Sequence, residues 1–402
     1  MGITTSEHEG DRPTSALTPS RRPRWLAFNV RALMVLVLLT GCGFGWIVHH
    51  VRVQRNAVAA IRQAGGRVIY DWEATPVRGP YADELRLKPN GRPKWPKWLV
   101  ERLGPDYFGT VISVGTGRRD ADAVMAHVGR LTRLQELVLS VIPLTDAGMV
   151  HLRELTQLKN LHLGAAARIT GVGLKNVEGL TRLQRLTLRN LALADADLVS
   201  LRRLTDLRIL EISSPRLTDA GMRHLKDLVK LNRLVLTGSG VTSAGLAYVG
   251  GMTGLHELQL SRTKVEDLAP IGRLTGLRTL DLIDTQIDDA GLAPVAGFTG
   301  LQRVWLNGTR VSDAGLKHLH GLPSLIYLDL SGTRITDVGA ADFEKLPVLK
   351  FLFLDKTVVT DAAVERLSEH VSLGGLSVRG SRVSAAGITA LHKARPEMRV
   401  RD

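Results

Sequence analysis

Cysteine is nearly absent from this chain. The single Cys42 excludes an intrachain disulfide framework and any cysteine-based zinc cluster. Aromatic residues are scarce as well, at 4%, which fits an interior filled by leucine. No Ser-His-Asp order, metal-ligand spacing or phosphate-cradling glycine loop occurs, and the glycines are spent on turns. His151, His224 and His318 share one slot of a repeat, just before an inward leucine, so they mark a helix surface and no common site. The chain therefore reads as a non-enzyme with no cofactor and no metal.

Acidic residues are outnumbered, and the net charge is +14. Residues 1–108 carry 16 Lys/Arg against 9 Asp/Glu, and residues 109–402 carry 37 against 30. Each part is thus +7, but the first is far shorter. Dense positive charge beside an apolar run reads as attraction to anionic lipid headgroups. A nucleic-acid partner is not expected.

Long apolar runs are limited to one. Residues 1–31 are polar, contain Arg21, Arg22, Arg24 and Arg31, and read as a disordered basic tail. Ala32 to Val48 holds no charge for 17 residues, the lower limit for a transmembrane helix, with Trp25 and Trp46 as interfacial anchors. Lys/Arg counts are tied at four on each side, so charge alone does not orient the span. A short basic tail held in the cytoplasm puts the rest outside, as a single-pass protein of the cytoplasmic membrane. Leu39-Thr40-Gly41-Cys42 offers an alternative, because it resembles a bacterial lipobox in which Cys42 is lipidated. Against it, the apolar run continues through Phe44, Trp46, Ile47 and Val48.

Residues 49–107 read as a juxtamembrane helix and an N-terminal cap. Val53, Ala57, Ala60, Ile61 and Ala64 share one helical face, and Gly65-Gly66 stops it. Arg67 to Trp72 alternates as a strand, a Pro/Gly-rich connection runs to Pro96, and Lys97 to Leu103 forms a short helix. Eleven of the eighteen aromatics fall by residue 108, which reads as a cover for the first leucines of the array that follows.

From Leu134 the chain repeats itself eleven times, in steps of 24 residues with one of 25 and one of 22. The L-x-x-L-x-L core at this period predicts a leucine-rich-repeat solenoid over 108–402. In Leu301-Gln-Arg-Val304-Trp-Leu306 the side chains at 301, 304 and 306 point inward, and those at 303 and 305 point outward. Ser312 caps a helix that starts at Asp313, whose charge complements the helix amino end. Thr263, Thr285, Thr309, Thr333 and Thr357 form one column after the strands, where hydroxyls can satisfy turn carbonyls. Leu183–Asp206 loses the T-D-x-G helix start, and Leu255–Gly276 is two residues short; both read as local bends.

The T-D-x-G-L helix start and the 24-residue unit resemble leucine-rich repeats of the ribonuclease-inhibitor-like and F-box-associated type. The whole chain is similar to a bacterial family in which one amino-terminal anchor carries such repeats. That resemblance implies a fold of the α/β class, a right-handed βα superhelix of about eleven repeats with one N-terminal transmembrane helix. It implies an interaction protein with an unspecified partner. An F-box protein would carry an adaptor-binding module before the repeats, and residues 1–107 show none.

Only seven aromatics lie in 109–402, and four of them, Trp305, Tyr327, Phe351 and Phe353, occupy outward strand positions in three consecutive repeats. Exposed aromatic clusters mark interaction sites. Arg303, Asp281, Asp329 and Asp355 surround them as a polar rim. These residues predict binding of a partner protein or peptide on the concave wall of a membrane-anchored scaffold. The alternatives are end-capping or self-association of the rings, a structural envelope protein that binds anionic wall polymers, and a ubiquitin-ligase-like substrate adaptor.

Overall fold

In the computed structural model, which describes residues 30–79, 82–89, 91–115, 121–139, 143–164 and 168–402, the repeat leucines end inside one continuous apolar core. The basic tail with Arg21, Arg22 and Arg24, and the anchor Trp25, lie outside the described residues. The chain divides after Val51 into two units.

The first unit contributes the start of helix α1 (Val30–Gln63). From Leu33 onward this helix is long and apolar enough to cross a membrane. Leu33, Leu36, Leu38, Leu39, Phe44 and Trp46 are exposed, and Cys42 stands exposed among them. Thr40 donates its hydroxyl back to the Leu36 carbonyl at 2.8 Å, which hides a polar group along the apolar stretch.

The second unit, Arg52–Asp402, starts with the last turns of α1, which bury Ala57, Val58 and Ile61. Its strands are β1 (Arg67–Tyr70), β2 (Ala74–Arg78), β3 (Asp83–Leu87), β4 (Val111–Gly115), β5 (Glu136–Leu139), β6 (Asn160–Leu163), β7 (Arg185–Arg189) and β8 (Ile209–Ser213). They continue as β9 (Arg233–Val235), β10 (Glu257–Gln259), β11 (Thr279–Asp281), β12 (Arg303–Trp305), β13 (Tyr327–Asp329), β14 (Phe351–Phe353), β15 (Gly375–Ser377) and β16 (Arg399–Arg401). Among the described residues, β1 and β4 to β16 form one 14-stranded sheet in chain order. Every pair from β4 onward is parallel; β1 closes the first edge antiparallel to β4.

Each turn of the solenoid buries the same set of side chains. In the unit from Leu301, the residues Leu301, Val304, Leu306, Val311, Leu316 and Leu319 are all at most 1% exposed. Removing one such leucine costs about 2–5 kcal/mol, because the neighbouring repeats cannot close the gap. The threonine column behaves as its position predicts. Thr309 donates to the Leu306 carbonyl at 2.6 Å, and Thr263, Thr285, Thr333 and Thr357 do the same one repeat apart.

The helix-start aspartates do something their sequence position hides. Ser312 does cap its own helix, accepting from the Ala314 amide. Asp313, however, reaches the next repeat: Oδ1 accepts the Thr336 amide at 2.9 Å and Oδ2 the Thr336 hydroxyl at 2.6 Å. The same two-bond clamp joins Asp122 to Thr145, Asp146 to Thr170, Asp195 to Thr218, Asp219 to Thr242, Asp289 to Ser312, Asp337 to Thr360 and Asp361 to Ser384. The glycine of the motif makes room for it. A Cβ on Gly339 would press on the Asp313 carboxylate as placed, whereas the next junction keeps its clamp with Ala363 in the same slot.

Both irregular repeats keep this junction by other means. The unit from Leu158 has Gly171 in the aspartate slot, and the unit from Leu183 has Asp197 in the glycine slot. Asp197 then supplies the missing carboxylate and accepts the Ala194 amide at 2.8 Å. At the 22-residue unit, Ser243 of the preceding repeat accepts the amides of Glu266 and Asp267 at 3.0 and 2.8 Å. There the Glu266 carbonyl takes the space above Gly291.

The neck, residues 49–107 ahead of the repeats, differs from the expected connection. The Pro/Gly-rich stretch contains the antiparallel hairpin β2–β3, in which Pro76 pairs with Leu85. A proline survives there because this sheet has only two strands, so the side of β2 away from β3 has no ladder to break. The short helix α2 (Lys97–Leu103) falls on its expected residues. Tyr70, Gln54 and buried Asp106 knit the neck to the array: Tyr70 donates to Asp106 at 2.9 Å, and Gln54 donates to the Gly109 carbonyl at 2.8 Å. Burial raises the Tyr70 hydroxyl pKa well above its ordinary value, and the nearby Asp106 carboxylate adds to the effect.

Candidate interaction surface on the strand face

Parallel register fixes two outward columns. One runs Arg303, Tyr327, Phe351, Gly375 and Arg399; the other runs Asp281, Trp305, Asp329, Phe353, Ser377 and Arg401. The four aromatic side chains named from the sequence are therefore neighbours. The Tyr327 ring centroid lies 5.1 Å from Trp305, 5.0 Å from Phe353 and 6.4 Å from Phe351, all tilted. These separations are those of favourable aromatic pairs. The other aromatics of the repeats are placed differently, since Phe298 and Phe343 are core residues and Tyr248 is exposed away from these strands, on the helical side.

The cluster remains open to solvent. Phe351 is 44% exposed, while Trp305, Tyr327 and Phe353 are half-buried. Gly375 follows Phe351 in its column, and a Cβ there would press against the ring at 2.9 Å. A side chain at that position would displace Phe351. The terminal strand β16 continues the sheet beyond β15, so it extends the wall and leaves the Phe351 ring uncovered.

The polar rim has two parts. Asp281 and Asp329 each accept a backbone amide two residues on, from Ile283 and Ser331, both at 3.0 Å. Asp355 accepts the Ser377 hydroxyl at 2.6 Å and the Arg379 amide at 2.8 Å. Burial raises the Asp329 pKa; the bonds from Ser331 oppose that shift, and the charges of Asp355 and Asp281 reinforce it. Burial also raises the Tyr327 hydroxyl, and Asp329 adds to it. Arg303 and, beyond the rings, Arg399 and Arg401 are exposed cations. The two terminal arginines were not legible as part of the rim, because β16 lacks the leucine signature that identifies the other strands.

The opposite end of the face is already occupied. The hairpin β2–β3 shares a crevice with Gln135, Lys159 and Asn160, and Glu84 pairs with Arg185 at 2.8 Å. Further along, Arg189 and Arg233 flank Glu211 at 2.7 and 3.6 Å, and Arg233 also approaches Glu257 at 3.4 Å. His162 lies in this zone with its pKa lowered, by burial first and then by the Arg189 charge. Opposite charges here are paired with one another, whereas the aromatic stretch presents open apolar surface.

No group of three or more His, Cys, Asp or Glu is placed to hold a metal ion among the described residues.

A leucine-rich-repeat family model matches residues 299–358, the stretch that carries all four rings. No curated protein matches the sequence. Among solved structures, an internalin from Listeria monocytogenes is similar at 23% identity, covering 69% of this chain and 82% of its own, with a TM-score of 0.55. A chain of the mouse RP105/MD-1 complex is similar at 18% identity, covering 67% of this chain and 47% of its own, with a TM-score of 0.52. These likenesses are of fold, and they agree with the leucine-rich-repeat solenoid described above.

Proposed function

We propose that this chain is a non-catalytic interaction scaffold, held at a membrane by α1, that binds a partner protein or peptide along β12 to β14. The observation that carries the reading is the contiguous open cluster of Trp305, Tyr327, Phe351 and Phe353 on a rigid strand face. Parallel strands lie about 4.8 Å apart, so an extended peptide crossing them meets a new pair of outward side chains at every step. The rings supply apolar contact area. Asp281, Asp329 and Asp355 accept hydrogen bonds or meet cationic side chains, and Arg303, Arg399 and Arg401 meet carboxylates. Both signs at the rim suit a polypeptide better than a uniformly charged polymer. The similar chain from the mouse RP105/MD-1 complex belongs to a protein–protein assembly, which agrees with this use of the fold.

In this reading the array lies outside the cytoplasm, with α1 uncleaved. Protease added to intact cells then cuts the repeats. Protection of the repeats in intact cells, with cleavage only after lysis, overturns that orientation.

The binding reading is tested with peptides selected from a displayed library on the full chain in lipid nanodiscs. Their affinity for Trp305→Ala or Tyr327→Ala falls about tenfold or more, as expected for aromatic anchors at the centre of an interface. Binding also changes little between low and physiological salt, whereas capture of an anionic polymer weakens steeply. Unchanged affinity in both variants, with circular dichroism intact, sinks the proposal.

A further inference from the structure

The neck holds a second aromatic surface that the cap does not use. Trp72 is spent inside: it stacks on Tyr70 at 4.7 Å and fills the space over Gly109. Trp95 and Trp98, in contrast, are 55% and 65% exposed, and helix α2 between Lys97 and Leu103 buries none of its residues. Leu103 and Tyr107 are exposed beside them. Trp95 is steadied from below by Phe108, with ring centroids 5.5 Å apart. Pro93 and Pro96 bracket Trp95 and fix the backbone that presents it.

Charge around these rings is strongly one-sided. Residues 86–102 contain six Lys/Arg against one Glu. Arg92, Lys94, Lys97 and Arg102 are exposed. The lone Glu101 approaches Lys97 at 3.6 Å, with both side chains open to water, so the pair adds little. Two open indoles among exposed cations are costly to keep in water. The same set matches an anionic bilayer surface, where indole rings settle at headgroup level and Lys/Arg meet lipid phosphates.

We propose that Trp95, Trp98 and the surrounding basic residues form a docking surface for an anionic phospholipid bilayer. The inference rests on the reading that α1 inserts in a membrane, since insertion keeps this segment of the same chain near lipid. The partner is a lipid surface because the patch combines indoles with one sign of charge. The strand-face cluster, which we assign to polypeptide, is rimmed by both signs.

The test uses the full chain in detergent, in phosphatidylcholine nanodiscs, and in nanodiscs that also contain phosphatidylglycerol. Amide exchange is followed over residues 97–103, and disc incorporation is recorded separately. Exchange slows about threefold or more in the anionic discs relative to the neutral ones, a local protection separable from global stability. Trp95→Ser with Trp98→Ser abolishes the slowing, and so does Lys94→Glu with Lys97→Glu. Neither pair alters disc incorporation or exchange in the repeats. An incorporated chain whose α2 exchanges equally in all three settings overturns the docking surface and leaves the anchor standing. A chain that stays out of the discs yet gains protection on anionic vesicles overturns the anchor and supports the docking surface; loss of both removes both. Protection that depends on protein concentration and not on lipid charge assigns the patch to a second copy of the chain and overturns the proposal.

Discussion

Gly171 and Asp197 have exchanged places. In most other repeats an aspartate at the helix start lies over a glycine of the following repeat, as Asp313 does over Gly339; here the glycine comes first and the aspartate comes from the repeat after it. The carboxylate still fills the junction and still accepts an N-cap amide, that of Ala194.

This exchange predicts non-additive mutants. Gly171→Asp drives two carboxylates into one space, and Asp197→Gly leaves the Ala194 amide without its partner. Each single change destabilises by about 1–3 kcal/mol, as expected for a lost or crowded polar junction. The double variant regains most of the loss, with a coupling energy of about 1–2 kcal/mol in a double-mutant cycle followed by urea unfolding. Simple addition of the two penalties removes the account.

The regular clamps predict coupling across repeats. Asp313→Ala removes two bonds to Thr336, one from its amide and one from its hydroxyl. Bonds to a charged acceptor contribute about 1.5–3 kcal/mol each, with the lower part of that range expected at a half-buried site. Amide exchange then accelerates in the repeat that begins at Leu325 as well as in the mutated one. A change confined to the mutated repeat indicates that the aspartate serves only its own helix.

Asp329 predicts a pH dependence. Its folded-state pKa lies above the ordinary value of 3.8, so the folded chain holds this proton more tightly than the unfolded chain. The ionised carboxylate therefore opposes folding at neutral pH, and that opposition fades as pH falls through the raised pKa toward 3.8. Asp329→Asn retains an acceptor for the Ser331 amide and removes the charge. The variant is at least as stable as the parent at pH 7, and its advantage shrinks on acidification. Thermal melts across this range check the sign; a deficit at neutral pH contradicts it.

Thr309→Val tests the threonine column. The hydroxyl is buried and bonded to the Leu306 carbonyl. Its loss removes one of two bonds to that carbonyl, which still accepts the Thr309 amide at 3.1 Å, and costs about 0.5–1.5 kcal/mol. Thr309→Ser, which keeps the hydroxyl, recovers most of it. Equal losses for valine and serine point to the methyl group instead.

The repeat interior was legible because burial acts on each strand separately: leucine spacing gave inside and outside, and alternation along a strand placed Trp305 and Tyr327 outward together. The clamps were not, because Asp313 and Thr336 stand 23 residues apart and meet only when repeats stack. Asp313 beside a helix start also has a valid local role, which masked the distant one. The hairpin β2–β3 was hidden by Pro76 and by the short strands around it. The rim was read from Asp281, Arg303, Asp329 and Asp355, but Arg399 and Arg401 join it only through the pairing of β16 with β15. Trp95 and Trp98 looked like cap residues in a neck rich in aromatics; their exposure separates them from Trp72, which stacks on Tyr70 and packs against the core.

The partner-binding claim is tested most directly by the amide-exchange footprint of a selected peptide on the full chain. The account predicts slowed exchange concentrated at residues 303–305, 327–329 and 351–353, lost together with binding in the Trp305→Ala, Tyr327→Ala double variant. A footprint on the helical side of the repeats, or under the hairpin near Arg185, with the aromatic strands unchanged, would contradict it.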